Sequence, residues 1–88
     1  MSKYLLNVDA IAKAAYIKVV EGQHASTCEL SPSVNLDVSD SGELLGVEFL
    51  SLSALGEVST KNLQEFMTEV DAGELHDFIE ESRLLLAR

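Results

Sequence analysis

Residues 34–50 constrain this chain more than any other stretch. Val34-Asn35-Leu36-Asp37-Val38 and Leu45-Gly46-Val47-Glu48-Phe49-Leu50 alternate in polarity on either side of the turn-forming cluster Ser39-Asp40-Ser41-Gly42. Successive side chains of a strand point to opposite faces, so a hairpin with its loop centred on Ser41-Gly42 sorts the segment completely. Val38 then faces Leu45, Leu36 faces Val47 and Val34 faces Phe49 on an apolar side, while Asp37 faces Gly46 and Asn35 faces Glu48 on a polar side. A slip of one residue would mix both faces, so the register is strongly specified.

Shorter stretches before the hairpin read as strands as well. Tyr4, Leu6 and Val8 alternate over residues 3–8, and Ala14-Ala15-Tyr16-Ile17-Lys18-Val19-Val20 is rich in β-branched and aromatic residues before the turn cluster Glu21-Gly22-Gln23-His24. Residues 25–30 form a weaker strand, with Cys28 and Leu30 on one face, closed by Ser31-Pro32-Ser33 because proline has no amide proton to donate. Beyond Leu52 the period becomes helical: Leu63, Phe66, Met67 and Val70 recur at helical spacing with Ser59 or Thr60 as N-cap, then Leu75, Phe78 and Ile79 continue towards Leu86. Asp71-Ala72-Gly73-Glu74 has the form of a capping box, which predicts two helices or one bent at Asp71, with a straight helix through Gly73 as the alternative. The expectation is a single α+β domain over residues 1–88: an antiparallel five-strand meander to about residue 52, then two amphipathic helices over residues 53–88 packed on its apolar face.

Charge narrows the partners. Fifteen acidic and six basic residues leave a net charge of −9, spread along the whole chain without a basic stripe. Binding to nucleic acid or an anionic membrane depends on Lys and Arg neutralising phosphates, so neither suits this chain, whereas a basic protein does. The apolar run after Tyr4 stops at Asn7 and Asp9, too short for a signal-peptide core, and no stretch approaches a membrane span. The single cysteine, Cys28, permits no intramolecular disulfide, which fits a reducing cytoplasm.

Asp9 through Ile17, Val34 to Val38, Gly42 and the run Leu45-Gly46-Val47-Glu48-Phe49-Leu50 together resemble the YuzE-like family of small bacterial proteins of unknown function. The resemblance covers roughly the first 52 residues. Lys13 stands where that family usually has an acid, Ala10 where it often has proline, and Val47-Glu48-Phe49 in place of Ile-Glu-Ile. The resemblance implies a compact antiparallel sheet followed by a helix. It implies no activity, and it assigns no role to Asp9.

Few side chains suggest chemistry. Asn35, Asp37 and Glu48 share the polar face of the hairpin, with Gly46 leaving a notch opposite Asp37. Such a group could hold a hard cation or accept Lys and Arg from a partner, but it supplies fewer oxygens than calcium needs and equally describes the wet face of an antiparallel sheet. His76 and Glu80, four apart on a helix, supply only two metal ligands, with His24 expected far away in a turn. Cys28 reads as a buried inert thiol, and neither a nucleophile elbow nor a phosphate-cradling glycine loop occurs.

The last helix is more suggestive. Glu74, Asp77 and Glu81 form an acidic stripe, and Leu84 points nearly opposite Leu75, so Leu84, Leu85 and Leu86 make the helix end apolar on several sides. The sequence therefore points to a non-catalytic, cytoplasmic protein-interaction module without a cofactor. Glu74, Asp77, Glu81 and Leu84 are its candidate contacts, homodimerisation is expected, and an inhibitor or antitoxin-like neutraliser of a basic protein is one form it could take. The alternative is a small metal-binding protein or metal-dependent enzyme using Asn35, Asp37 and Glu48.

Overall fold

The structure, a computed structural model, describes residues 3–87. Five strands, β1 (Leu5–Asp9), β2 (Ala14–Lys18), β3 (His24–Ser31), β4 (Val34–Ser39) and β5 (Leu44–Phe49), form one antiparallel sheet. A 3-10 helix at Leu52–Glu57, the single-turn helix α1 (Thr60–Leu63) and the long helix α2 (Glu69–Leu86) follow. The α+β class and the five antiparallel strands are those expected.

The strand order is β1-β2-β5-β4-β3, so the chain departs from a neighbour-to-neighbour meander between β2 and β3. Strands β2 to β5 thereby adopt a Greek-key arrangement. The inward positions explain the order. β5 contributes Leu44, Val47 and Phe49, all almost fully buried, and pairing it with β2 sets Ile17 beside Val47 and Ala15 beside Phe49. β3 sets Ser26 and Cys28 opposite Val38 and Leu36 and adds one partly buried apolar residue, Leu30, which suits an edge better than a centre.

Four of the expected hairpin pairs are present: Val34 with Phe49, Asn35 with Glu48, Leu36 with Val47, and Asp37 with Gly46. The fifth is corrected, since Val38 pairs with Leu44 rather than Leu45. The loop is longer by one residue than expected. Ser39 accepts from the amide of Gly42 at 3.0 Å, Ser39 N–H donates to Glu43 O at 2.9 Å, and Gly42 takes the left-handed conformation (φ 87°). Such a three-residue loop sets a register one residue out of step with the body of the hairpin, and a bulge at Leu45 absorbs the difference. Leu44 takes the place in the core that alternation assigns to Leu45. The bulged Leu45 instead covers Gly22, where an added Cβ would lie 2.6 Å from its Cδ2. Its carbonyl accepts from both Val19 N–H (2.8 Å) and Val20 N–H (3.2 Å), which hooks the β2–β3 crossover to the sheet.

The helical layer also departs from expectation in detail. Ser59 caps α1 as expected, in a capping box with Asn62, but the helix lasts one turn. The break lies at residues 64–68 rather than at Asp71: Thr68 caps α2 by accepting from Asp71 N–H at 3.1 Å, and α2 runs on through Gly73. Val70 therefore falls in the first turn of α2 and is 71% exposed instead of buried. Ala72, Leu75, Ile79 and Ser82 form the inward stripe of α2, and the Ser82 hydroxyl donates to Phe78 O. Phe78 packs obliquely on Tyr4, with ring centroids 5.5 Å apart. Between sheet and helices lies a core containing Ile17, Leu36, Val47, Phe49, Leu55, Leu63, Leu75 and Ile79, each of which contributes about 1.5–3 kcal/mol by leaving water.

Cys28 is exposed, not buried. Its register on the inward side of β3 is as expected, but β3 is an edge strand, and Ser26 and Cys28 lie open while only Leu30 near its end packs partly buried on the core.

Gly73 offers a check on the helix assignment. It sits inside α2, and an added Cβ there meets no atom within 4 Å. Gly73→Ala is expected to raise the unfolding free energy by roughly 0.5–1 kcal/mol. Chemical denaturation that finds Gly73→Ala destabilising would contradict a continuous helix through this position.

Candidate functional site

Every side chain of the candidate polar face sits there because of strand parity. Pairing places Asn7, Tyr16, Glu48, Asn35 and Glu29 in one row across the outer face of the sheet, and Leu5, Lys18, Gly46, Asp37 and Thr27 in the next. Asn35 Nδ2 donates to Glu48 Oε1 at 3.2 Å, the cross-strand contact that the hairpin register implies. Asp37 is held separately. Its Oδ2 accepts from the Tyr16 hydroxyl at 3.1 Å, while its Oδ1 accepts from the Thr27 hydroxyl at 3.4 Å and lies 3.7 Å from His24 Nε2. His24 also meets Thr27 Oγ1 at 2.9 Å. Far from sitting in a remote turn, His24 opens β3 beside Asp37.

The notch at Gly46 is filled by Tyr16. A Cβ on Gly46 would lie 1.9 Å from the Tyr16 hydroxyl oxygen and 2.3 Å from its ring carbon Cζ, so glycine is what lets the phenol lie across β5 to reach Asp37. Burial comes first among the causes that push the Tyr16 hydroxyl up to about 12, followed by its hydrogen bond to Asp37 and the negative charges of Asp37 and Glu48. The phenol is thus a neutral donor near pH 7, not a tyrosinate nucleophile. Beside it lies a shallow groove of about 290 Å³ whose lining includes Tyr16, Lys18, Gly22, His24, Asp37 and Leu45, with Lys18 ion-paired to Glu21. This arrangement can exchange hydrogen bonds with a polar ligand. Among the described residues, no three of His, Cys, Asp and Glu gather closely enough to hold a metal ion.

The remaining candidates lie on α2, apart from this face. Glu74 and Asp71 share Lys3, at 3.7 and 3.6 Å. Asp77 and Glu81 are exposed, Leu84 is 61% exposed and Leu85 is 55% exposed, whereas Leu86 packs on the core. Glu80 pairs with Arg83 at 2.9 Å, and that hydrogen bond, with a smaller contribution from His76, holds its carboxyl below the usual range. Sequence reasoning missed Tyr16, Thr27 and His24 as members of the polar cluster. Strand parity places Tyr16 on the same face as Lys18, but only the pairing of β2 with β5 brings it over Gly46. Asp9, which leads the first motif of the family resemblance, serves the local backbone. Its Oδ1 accepts from Ile11 N–H and Ala12 N–H in the β1–β2 turn, where Lys13 is left-handed (φ 55°).

The architecture defines a small α+β domain, a Greek-key antiparallel sheet with helices on one face and a hydrogen-bonded polar cluster on the other. The chain belongs to the family described as Protein of unknown function (DUF2283), whose model matches residues 6–53. No curated protein and no solved structure matches the chain. The matched span holds all but the first residue of the sheet and the whole polar cluster, and it ends before α1 and α2. Among the described residues, no helix is long and apolar enough to cross a membrane.

Two measurements probe this site. Gly46→Ala is expected to destabilise the fold by about 1–3 kcal/mol, because the new methyl group overlaps the Tyr16 ring, and to cost much less in a Tyr16→Ala background. An unchanged cost in that background would show that the close approach is not the cause. The second concerns pH. The folded value of Tyr16 lies above its ordinary value of 10.0, so its contribution to stability is complete below pH 10 and is lost as pH rises through about 12. Denaturation across that window should show stability falling less steeply in Tyr16→Phe, and equal slopes would refute the linkage.

Proposed function

We propose that this protein is a non-catalytic, cytoplasmic interaction module, YuzE-like within its family, that binds other protein chains through the outer side and last turn of α2. One observation carries the reading. Leu84 and Leu85 are 61% and 55% exposed on a helix whose inward stripe is already satisfied by Ala72, Leu75, Ile79 and Ser82. Adjacent large apolar side chains left in water at the end of a well-packed helix are supported as a contact surface by the gain from burying them, about 25 cal/mol per Å² of apolar area before the costs of association. Glu74, Asp77 and Glu81 add exposed negative charge along the same helix, which with the net charge of −9 favours a basic partner, as an inhibitor or antitoxin-like neutraliser would have. The exposed thiol of Cys28 is compatible with a reducing compartment.

The same helix end supports self-association, with a two-fold dimer as the expected form because isologous pairs are the commonest closed assemblies. Two copies each carrying −9 repel, so the contact centres on Leu84 and Leu85 and avoids the acidic stripe. Light scattering over micromolar concentrations should find a dimer that added salt strengthens through screening and that Leu84→Glu dissociates. A monomer at every concentration, or a dimer indifferent to Leu84→Glu, rejects this interface.

A further inference from the structure

At the other end of α2, a groove of about 320 Å³ opens between the β2–β3 crossover, the start of β5 and the α1–α2 connection. Its apolar lining includes Val19, Leu44, Phe66 and Met67. Leu44 is 1% exposed, but the other three are only half-buried, so apolar surface at the mouth remains in contact with water. This volume is at the lower end of what small-ligand pockets enclose. Met67 adds an unbranched, polarisable side chain that can adjust to what enters.

The mouth is acidic. Glu43, exposed just before Leu44, lines one side and Asp71 lines another. Lys3 also lies at the mouth, but it is shared between Asp71 and Glu74. The carboxylate of Glu43 has no ion-pair partner among the described residues. The positive end of the α2 dipole, about half a charge, is met by Glu69 and Asp71 in the first turn, so it does not turn the mouth into an anion site.

We propose that this groove docks one apolar side chain, aliphatic or aromatic, of a basic partner segment whose next residue is Arg or Lys. The apolar group lies against Leu44 and Phe66, and the cation meets Glu43. The inference rests on the reading of the chain as a partner-binding protein and supplies the chemistry of the partner. It engages a surface separate from the Leu84 end of the helix.

The test titrates three probes into the full chain and follows backbone amide shifts: N-acetyl-phenylalanyl-arginine amide, N-acetyl-phenylalanyl-glutamate amide and N-acetyl-phenylalanine amide. The arginine probe is expected to shift the amides of Val19, Val20, Leu44, Phe66 and Met67, with about tenfold tighter binding than the glutamate probe. Glu43→Gln, a change on the exposed hairpin loop, should reduce that preference to about threefold or less while leaving the uncharged probe unaffected. Equal binding of the two charged probes, shifts confined to other surfaces, no shifts at millimolar probe, or a preference unchanged in Glu43→Gln would each overturn the proposal. Outcomes at the two surfaces separate: a monomeric protein that binds the arginine probe here loses only the Leu84 interface, and a Leu84-dependent dimer blind to all three probes loses only the groove.

Discussion

One surplus residue on β5 governs how the sheet is assembled. The loop at residues 40–42 and the paired body of the β4–β5 hairpin demand registers that differ by one, and the bulge at Leu45 reconciles them. Without it, either the turn would lose its glycine-permitted geometry or the apolar and polar faces of β4 would no longer match those of β5. The same bulge frees a carbonyl that binds the two amides of Val19 and Val20, so the chain can leave β2 and cross to the far edge of the sheet. Topology and face segregation thus rest on one local irregularity, with Leu45 covering Gly22 where the crossover passes.

That arrangement divides the sheet unequally. The central strands receive the helices: Val34, Leu36, Val47 and Phe49 have no exposed surface, and neither have Leu63, Leu75 and Ile79 above them. The edges do not. Val8 on β1 and Cys28 on β3 lie at inward positions yet remain exposed. From the edge strands, Leu6 and Leu30 reach the core partly buried. Bulges in the β3–β4 pairing near both ends of β3 interrupt its regular ladder, a feature that commonly blunts edges against unwanted pairing.

Opposite the helices, polarity is organised rather than merely tolerated. Asp37 on β4 gathers Thr27 and His24 from the adjacent β3 and Tyr16 from β2 across β5, and Gly46 is the gap that admits the phenol. Because each partner already donates to Asp37 or lies against it, the cluster stiffens the sheet face. On the helical side, exposed leucines end α2 and the acidic-rimmed groove lies near its start.

Alternation alone determined the hairpin faces, four of its five pairings, the polar contact between Asn35 and Glu48, and the outward direction of Leu84, because period two and period 3.6 are properties of the backbone. Turn-forming residues located the loops, and the change of period near Leu52 located the helical part. Local sequence could not choose between a two-residue loop and a three-residue loop with a bulge, since Ser41-Gly42 and Asp40-Ser41-Gly42 both suit turns, and so it exchanged Leu44 and Leu45. It likewise misplaced the start of α2, because Thr68 and Asp71 are both competent caps and the helix starts from Thr68. Which strands become neighbours, that Cys28 lies beyond the helical cover, and that Tyr16 crosses Gly46 to Asp37 are non-local outcomes. They depend on apolar area competing for the centre of the sheet, a comparison among distant segments that only the tertiary structure makes.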